Sequence, residues 1–449
     1  MDRPSRLRDL WIPGALAILA LHWLAPLALA PDWWGVATWR GIPGEWRVLL
    51  FVVTASLLTE RGAARFAHLL ERPRLSRGGL AAAIVLAGVL FGLLATEVHW
   101  GNAEIVVKAA VRPTVVVKHP LSSAFLGLVE EVLARVTGEA QPLLSVGLVS
   151  VMSGCAFVWG AVVLAHELFP DSLPRARVAI GLLCTAGWMQ EFFAALESYP
   201  MSTAGQVWTL ALLVRLLRPA RDGSEPPPPV PLLFAASLTT SIFIATVFLW
   251  PAVLLAILLR RAWRPRLRSL LAVAAPPVVA VLCHRQWGRQ AELDKIDVAF
   301  GGLDSNPWVP LTRNPEDIAT HFTFFSYDHL AGRSNLISLV APAFFLLLLL
   351  LLARRETPPQ DADRRRLTRV LAFGALSAAS MLVMVHPDMG PVLDWMQTNT
   401  GVVLPYVFLV FLVLDRTEDR RVGRVGVGCI ALSVAHTLPW VLSNAGVTG

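Results

Sequence analysis

Apolar runs long enough to cross a bilayer recur along this chain, separated by short arginine-rich stretches. Inside hydrocarbon no water satisfies a backbone N–H or C=O, so the chain cannot reverse there and each run is predicted to be a helix. With 55% hydrophobic and 16% charged residues and a mean hydropathy of +0.58, the 449 residues are too apolar for a soluble enzyme. The expected fold class is an all-α polytopic membrane bundle of about 13 transmembrane helices, one domain over residues 1–449. The excess of 39 Lys and Arg over 32 Asp and Glu is mostly arginine in loops, a topology signal that gives no sign of a nucleic-acid partner. Cys155, Cys184, Cys283 and Cys429 lie in or beside apolar runs without metal-ligand spacing, as small buried side chains do.

The arginines orient the spans. Arg3, Arg6 and Arg8 precede Trp11–Ala30, predicting a first helix with a cytoplasmic N-terminus. Ala28-Leu29-Ala30 has the form of a cleavage site, but Pro31 follows it, so an uncleaved helix is expected. Arg61, Arg65, Arg72, Arg74 and Arg77 mark a cytoplasmic loop, and the next span, Leu80 to Ala95, then exits outward. The run Pro231–Leu259 carries inside-type charge at both flanks, and about 29 residues cannot be one span with both ends on one side. Two short helices in a hairpin are expected there, relaxing at Thr239-Thr240-Ser241 or at Trp250-Pro251. A return span over Leu336–Leu352 and a last one over Val425–Val441 leave the C-terminus extracytoplasmic.

This topology collects the functional side chains on the outer side, in loops 97–141, 283–334 and 386–401. The first carries Asn102, Glu104, Lys108, Arg112, Lys118 and His119, then an amphipathic pattern over Leu121–Val136 that suits a helix lying at the interface. The second carries Asp328, His329 and Arg333; the third carries Asp388, Asp394 and Trp395. Glu197 and Tyr199 close the span that begins near Val178, and a carboxylate at that depth is costly unless paired or wetted.

Four pieces carry a family resemblance: GNAE followed by HPL; FFAALESY; DHLAGRSN before a leucine-rich span; and HPDMGPVLDW, with HTLPW in the last span. Together they resemble the GT-C superfamily of integral membrane glycosyltransferases, in particular a bacterial GT-C-like group. The resemblance implies a bacterial plasma (inner) membrane enzyme that moves a sugar from a polyprenyl-phosphate donor, with that lipid-linked sugar and membrane lipid as partners. Such proteins usually carry Asp in the Gly-Asp part of the first piece, where this chain has Asn102, which cannot act as a base. Glu104, two residues on, is the nearest carboxylate that can take over.

Transfer from a phosphosugar requires deprotonating an acceptor hydroxyl and stabilising a phosphate leaving group. Glu104 is the expected base, with Asn102 and Glu197 in the catalytic set, and Lys108, Lys118, His119 and Arg333 facing the phosphate. Tyr199, Asp328, His329, Asp388, Asp394 and Trp395 complete the substrate-binding set. Asp388 and Asp394, with Asp328 or Glu104, would offer oxygen ligands to a divalent cation, although no fixed ligand spacing is visible and no cofactor is assigned. Glu104, Glu197, His329 and Asp394 are expected to line one cavity opening toward the lipid. A transporter or flippase of a lipid-linked or anionic solute, and a GT-C-like scaffold without catalysis, are the competing readings; no internal repeat supports the first, and Asn102 motivates the second. His436, inside the last span, is expected either to serve function or to make a packing or hydrogen-bonding contact.

Overall fold

The computed structural model describes residues 11–26, 34–71, 76–96, 103–111, 119–218, 228–259, 267–288, 323–353, 361–385 and 395–447. Helices dominate them, as a backbone in apolar surroundings requires. Helices α1 (Trp11–Leu24), α2 (Gly44–Leu58), α3 (Glu60–Ala67) and α4 (Arg77–Leu93) precede two helices of the first loop, α5 (Ala103–Val111) and α6 (Pro120–Thr137). The bundle continues through α7 (Pro142–Leu168), α8 (Leu173–Thr185) and α9 (Tyr199–Leu217), then α10 (Val230–Ile242), α11 (Trp250–Leu259) and α12 (Leu267–Gly288). It ends with α13 (Tyr327–Val340), α14 (Phe344–Leu352), α15 (Ala362–Met384), α16 (Trp395–Asp415) and α17 (Asp419–Asn444).

Local chemistry sets the boundaries. Proline opens α6, α7, α8, α9 and α10 within their first two positions, where its missing N–H costs nothing. Ser76 and Ser326 cap α4 and α13 by accepting from Gly79 N and His329 N. Helix α6 stops at Gly138, whose φ of 83° is the left-handed conformation that a side chain resists.

Among the described residues, α7, α15 and Arg421–Asn444 of α17 are long and apolar enough to cross a membrane alone. The pair α13 and α14 counts as a fourth span if taken as one, and six shorter apolar helices accompany them, so 13 spans are not confirmed. The span expected over Leu336–Leu352 is broken: α13 and α14 meet at 101° across Ala341-Pro342-Ala343. Pro342 donates no hydrogen bond and disfavours helical geometry in the residue before it, and Ala341 has left the helix at φ −139° and ψ 66°.

Pro231–Leu259 does divide into two short helices. Trp250 Nε1 donates to Thr240 Oγ1 at 2.9 Å, and Thr246 Oγ1 donates to the same oxygen at 3.4 Å. Ten residues of continuous helix would separate residues 240 and 250 by about 15 Å, so the helix breaks and turns between them, bringing α10 and α11 into contact. The turn runs from Phe243 through the 3-10 segment Ile244–Leu249, between the two positions expected from the sequence.

Three ion pairs collect at one end of the bundle. Arg218 meets Glu167 at 2.9 Å, Arg175 meets Asp419 at 2.9 Å and Arg364 meets Asp415 at 2.6 Å, joining the ends of α7 and α9, the starts of α8 and α17, and the start of α15 to the end of α16. A cavity of about 270 Å³ lies there, lined in part by Glu167, Asp171, Arg218, Asp361, Asp363 and Arg364.

Candidate functional site

At the other end of α9, about 28 Å away by helical rise, side chains from three stretches of sequence meet. His119, at the N-cap of α6, stacks on Phe243 with ring centroids 4.6 Å apart and planes 8° apart. Tyr199, the first residue of α9, sets its ring edgewise to both, at 5.0 Å from His119 and 5.2 Å from Phe243. Such ring pairs contribute about 0.5–1.5 kcal/mol each beyond their buried area. Ser122 Oγ donates to Ile242 O at 2.8 Å, fixing the first turn of α6 on the tip of the hairpin. Glu197, two residues before Tyr199, is buried here as well.

One helical turn deeper lies Glu191, in the 3-10 segment Gly187–Phe192 that follows α8. It has no accessible surface. Thr203 Oγ1 of α9 donates to its Oε2 at 2.8 Å, and Asn399 Nδ2 of α16 donates to its Oε1 at 2.8 Å. Its backbone carbonyl accepts from Ser150 Oγ of α7 at 2.5 Å. One residue thus ties the α8–α9 connection to α7, α9 and α16. Thr203 lies four residues beyond Tyr199, and Asn399 four residues beyond Trp395, so two of the expected site residues stand one turn above the pair that holds Glu191. Trp395 is buried, its ring 4.9 Å from that of Trp440.

On α13, His329 and Arg333 turn into the bundle, while Asp328 stays exposed. His329 Nδ1 lies 2.9 Å from Phe324 O, and Arg333 Nη2 donates to Val385 O at 2.5 Å. The opposite face of α13 lines a largely apolar groove of about 480 Å³ against α1, through Leu330, Ser334 and Ser338 facing Ile18 and His22. His329 and Arg333 therefore point away from this groove.

Glu104 and Lys108 lie on α5, which packs inward through Ala103, Val106 and Ala110; the two side chains lie outside the described residues. Asn102, Lys118, Asp388 and Asp394 also lie outside them. Of the expected set, His119 and Tyr199 are in direct contact, with Glu197 adjoining. Among the described residues no three His, Cys, Asp or Glu side chains gather as a metal set. Phe243 and Glu191 were not anticipated. Glu191 carried the same signal that singled out Glu197, a carboxylate beside phenylalanines at a span end, and Phe243 becomes visible only once the hairpin brings its tip to α6.

No protein-family model matches the chain, and no curated protein matches it in sequence. The chain is similar to the crystal structure of ArnT from Cupriavidus metallidurans bound to undecaprenyl phosphate, at 13% identity over 83% of this chain and 78% of that one, with a TM-score of 0.49.

Proposed function

We propose that this chain is an integral membrane glycosyltransferase that moves a sugar from a polyprenyl-phosphate donor to an extracytoplasmic acceptor, with inversion and a carboxylate base. The observation that carries the reading is the cluster of His119, Tyr199 and Glu197 above buried Glu191, at the end of the bundle away from the arginine ion pairs. A polyprenyl tail stays in hydrocarbon while its phosphate reaches water, so the reacting groups belong at one membrane interface. The four sequence pieces that resemble GT-C enzymes support the same class. In this reading Glu104 takes the acceptor proton and Glu197 is the second carboxylate. Lys108, Lys118 and His119 oppose the phosphate, and the hairpin α10–α11 leaves room for the lipid. The protein would sit in the bacterial inner membrane with its N-terminus cytoplasmic.

The test is release of polyprenyl phosphate when purified protein in liposomes meets a polyprenyl-phosphate sugar and an acceptor. Release is expected, with a loss of about 10²-fold or more in Glu104→Gln, the range for a lost general base. Full activity in Glu104→Gln would refute that assignment. Solute uptake without release would favour the transporter reading, for which the broken pair α13–α14 is the motivating feature.

A further inference from the structure

Two histidines that this function does not use meet inside the bundle. His22 of α1 and His436 of α17 bring Nε2 of the first to 2.6 Å from Nδ1 of the second, and both are buried. Their other nitrogens end on backbone carbonyls: His22 Nδ1 is 2.8 Å from Ile18 O, and His436 Nε2 is 3.0 Å from Leu339 O. A carbonyl can only accept, so both outer nitrogens must carry a proton. A neutral imidazole has one N–H. If each ring gives its single proton to a carbonyl, the two inner nitrogens face each other as bare lone pairs at hydrogen-bond distance. A third proton between them converts that repulsion into a charge-assisted N–H···N bond.

We infer that His22 and His436 form a proton-binding site, a dyad that holds three protons on two rings and one positive charge across its inner nitrogens. The outer bonds are anchored by the fold. Leu339 lies in the last turn of α13, where the break at Pro342 leaves carbonyls without helical partners, and His436 supplies the donor. Trp39 Nε1 donates to Ala435 O at 2.7 Å, beside His436. Burial opposes any charge, but neutral rings would have to give up one of the two carbonyl bonds.

The packed elements bring few competing charges. Helices α1 and α14 contain no other ionisable side chain, and the charged residues of α17, from Asp419 to Arg424, lie at least 18 Å away by helical rise. On α13, Asp328 is exposed and Arg333 donates to Val385 O, with Tyr327 and His329 further toward its start. In the segment Gly187–Phe192, Glu191 is bonded to Thr203 and Asn399. Arg40 is exposed, Arg47 of α2 bonds Ile42 O and Arg40 O, Glu45 is exposed, and Arg175 of α8 pairs with Asp419. In α8, Arg177 lies near the start and Cys184 near the end; Tyr406 of α16 and Cys429 of α17 are buried.

The dyad clamps α1 to α17, and releasing the third proton weakens the clamp. Nitrogen-detected NMR of the histidine-labelled full chain, assigned with His22→Gln and His436→Gln, counts the protons. Three protonated nitrogens of four are expected, with one far-downfield shared-proton resonance that is lost in either variant. The thermal midpoint of the wild type is expected to fall as pH rises from neutral. That of His436→Gln, whose amide can donate to both Leu339 O and His22 Nε2 without charge, should stay level. Two protons on the four nitrogens overturn the inference, as does a His436→Gln protein with the wild-type pH slope. If that variant fails to fold, the proton count in the wild type decides alone.

Discussion

Glu191 is held entirely by neighbours that would themselves be stranded without it. Thr203 and Asn399 both donate to its carboxyl from buried positions. Glu191→Ala leaves those donors unsatisfied at roughly 1–3 kcal/mol each, and the thermal midpoint in detergent should drop accordingly. Glu191→Gln keeps the volume and one acceptor and should lose less; equal midpoints for wild type and the alanine variant would remove Glu191 as the tie. His119 poses a different question, because its ring is packed on Phe243 and Tyr199 while its type suggested a phosphate contact. His119→Phe preserves the stacking. If His119 touches the donor phosphate, this variant should raise KM for the donor with little change in thermal midpoint; an unchanged KM would leave the residue a packing role alone. At this scale residue type and local context single out His119, Glu197 and Tyr199 as candidates, and the structure brings His119 and Tyr199 into contact. The partners were not legible, since Phe243 lies 124 residues from His119 and Asn399 lies 208 from Glu191, and no local pattern encodes such a distance.

Helices were the most readable elements, because apolar runs bounded by arginine, proline and glycine place them to within one or two turns. The amphipathic stretch Leu121–Val136 falls within α6, and Pro231–Leu259 divides into α10 and α11, the two short helices expected there. The break between α13 and α14 was less visible, since hydropathy runs straight through it and only Pro342 marks it. What holds α13 in place is a close approach: a Cβ on Gly187 would lie 1.8 Å from Leu339 O and 3.0 Å from Val340 Cα. These are backbone atoms and cannot rotate aside. Gly187→Ala should therefore push α13 away from the Gly187–Phe192 segment, costing about 1–3 kcal/mol as overpacking does. A midpoint within error of wild type would mean that the two segments are not rigidly packed.

At the scale of the whole molecule, the two ends differ in chemistry. One gathers Arg175, Arg218 and Arg364 in ion pairs with Asp419, Glu167 and Asp415; the other gathers His119, Tyr199 and Glu197. Short loops on the cytoplasmic side are enriched in arginine, so the proposed orientation puts the first end in the cytoplasm and the second outside. The hairpin fits this orientation. Helix α10 has 13 residues and rises only about 20 Å, short of a hydrocarbon core of about 30 Å, so α10 alone does not span it. Exposed reporters lie at both ends: Glu139 just before α7, and Asp419 at the start of α17. In intact cells, a membrane-impermeant thiol reagent should label Glu139→Cys directly. Asp419→Cys should react only after the membrane is opened, with the four native cysteines replaced so that they give no background. The reverse pattern would turn the molecule over, put His119, Tyr199 and Glu197 in the cytoplasm, and end the case for an extracytoplasmic acceptor.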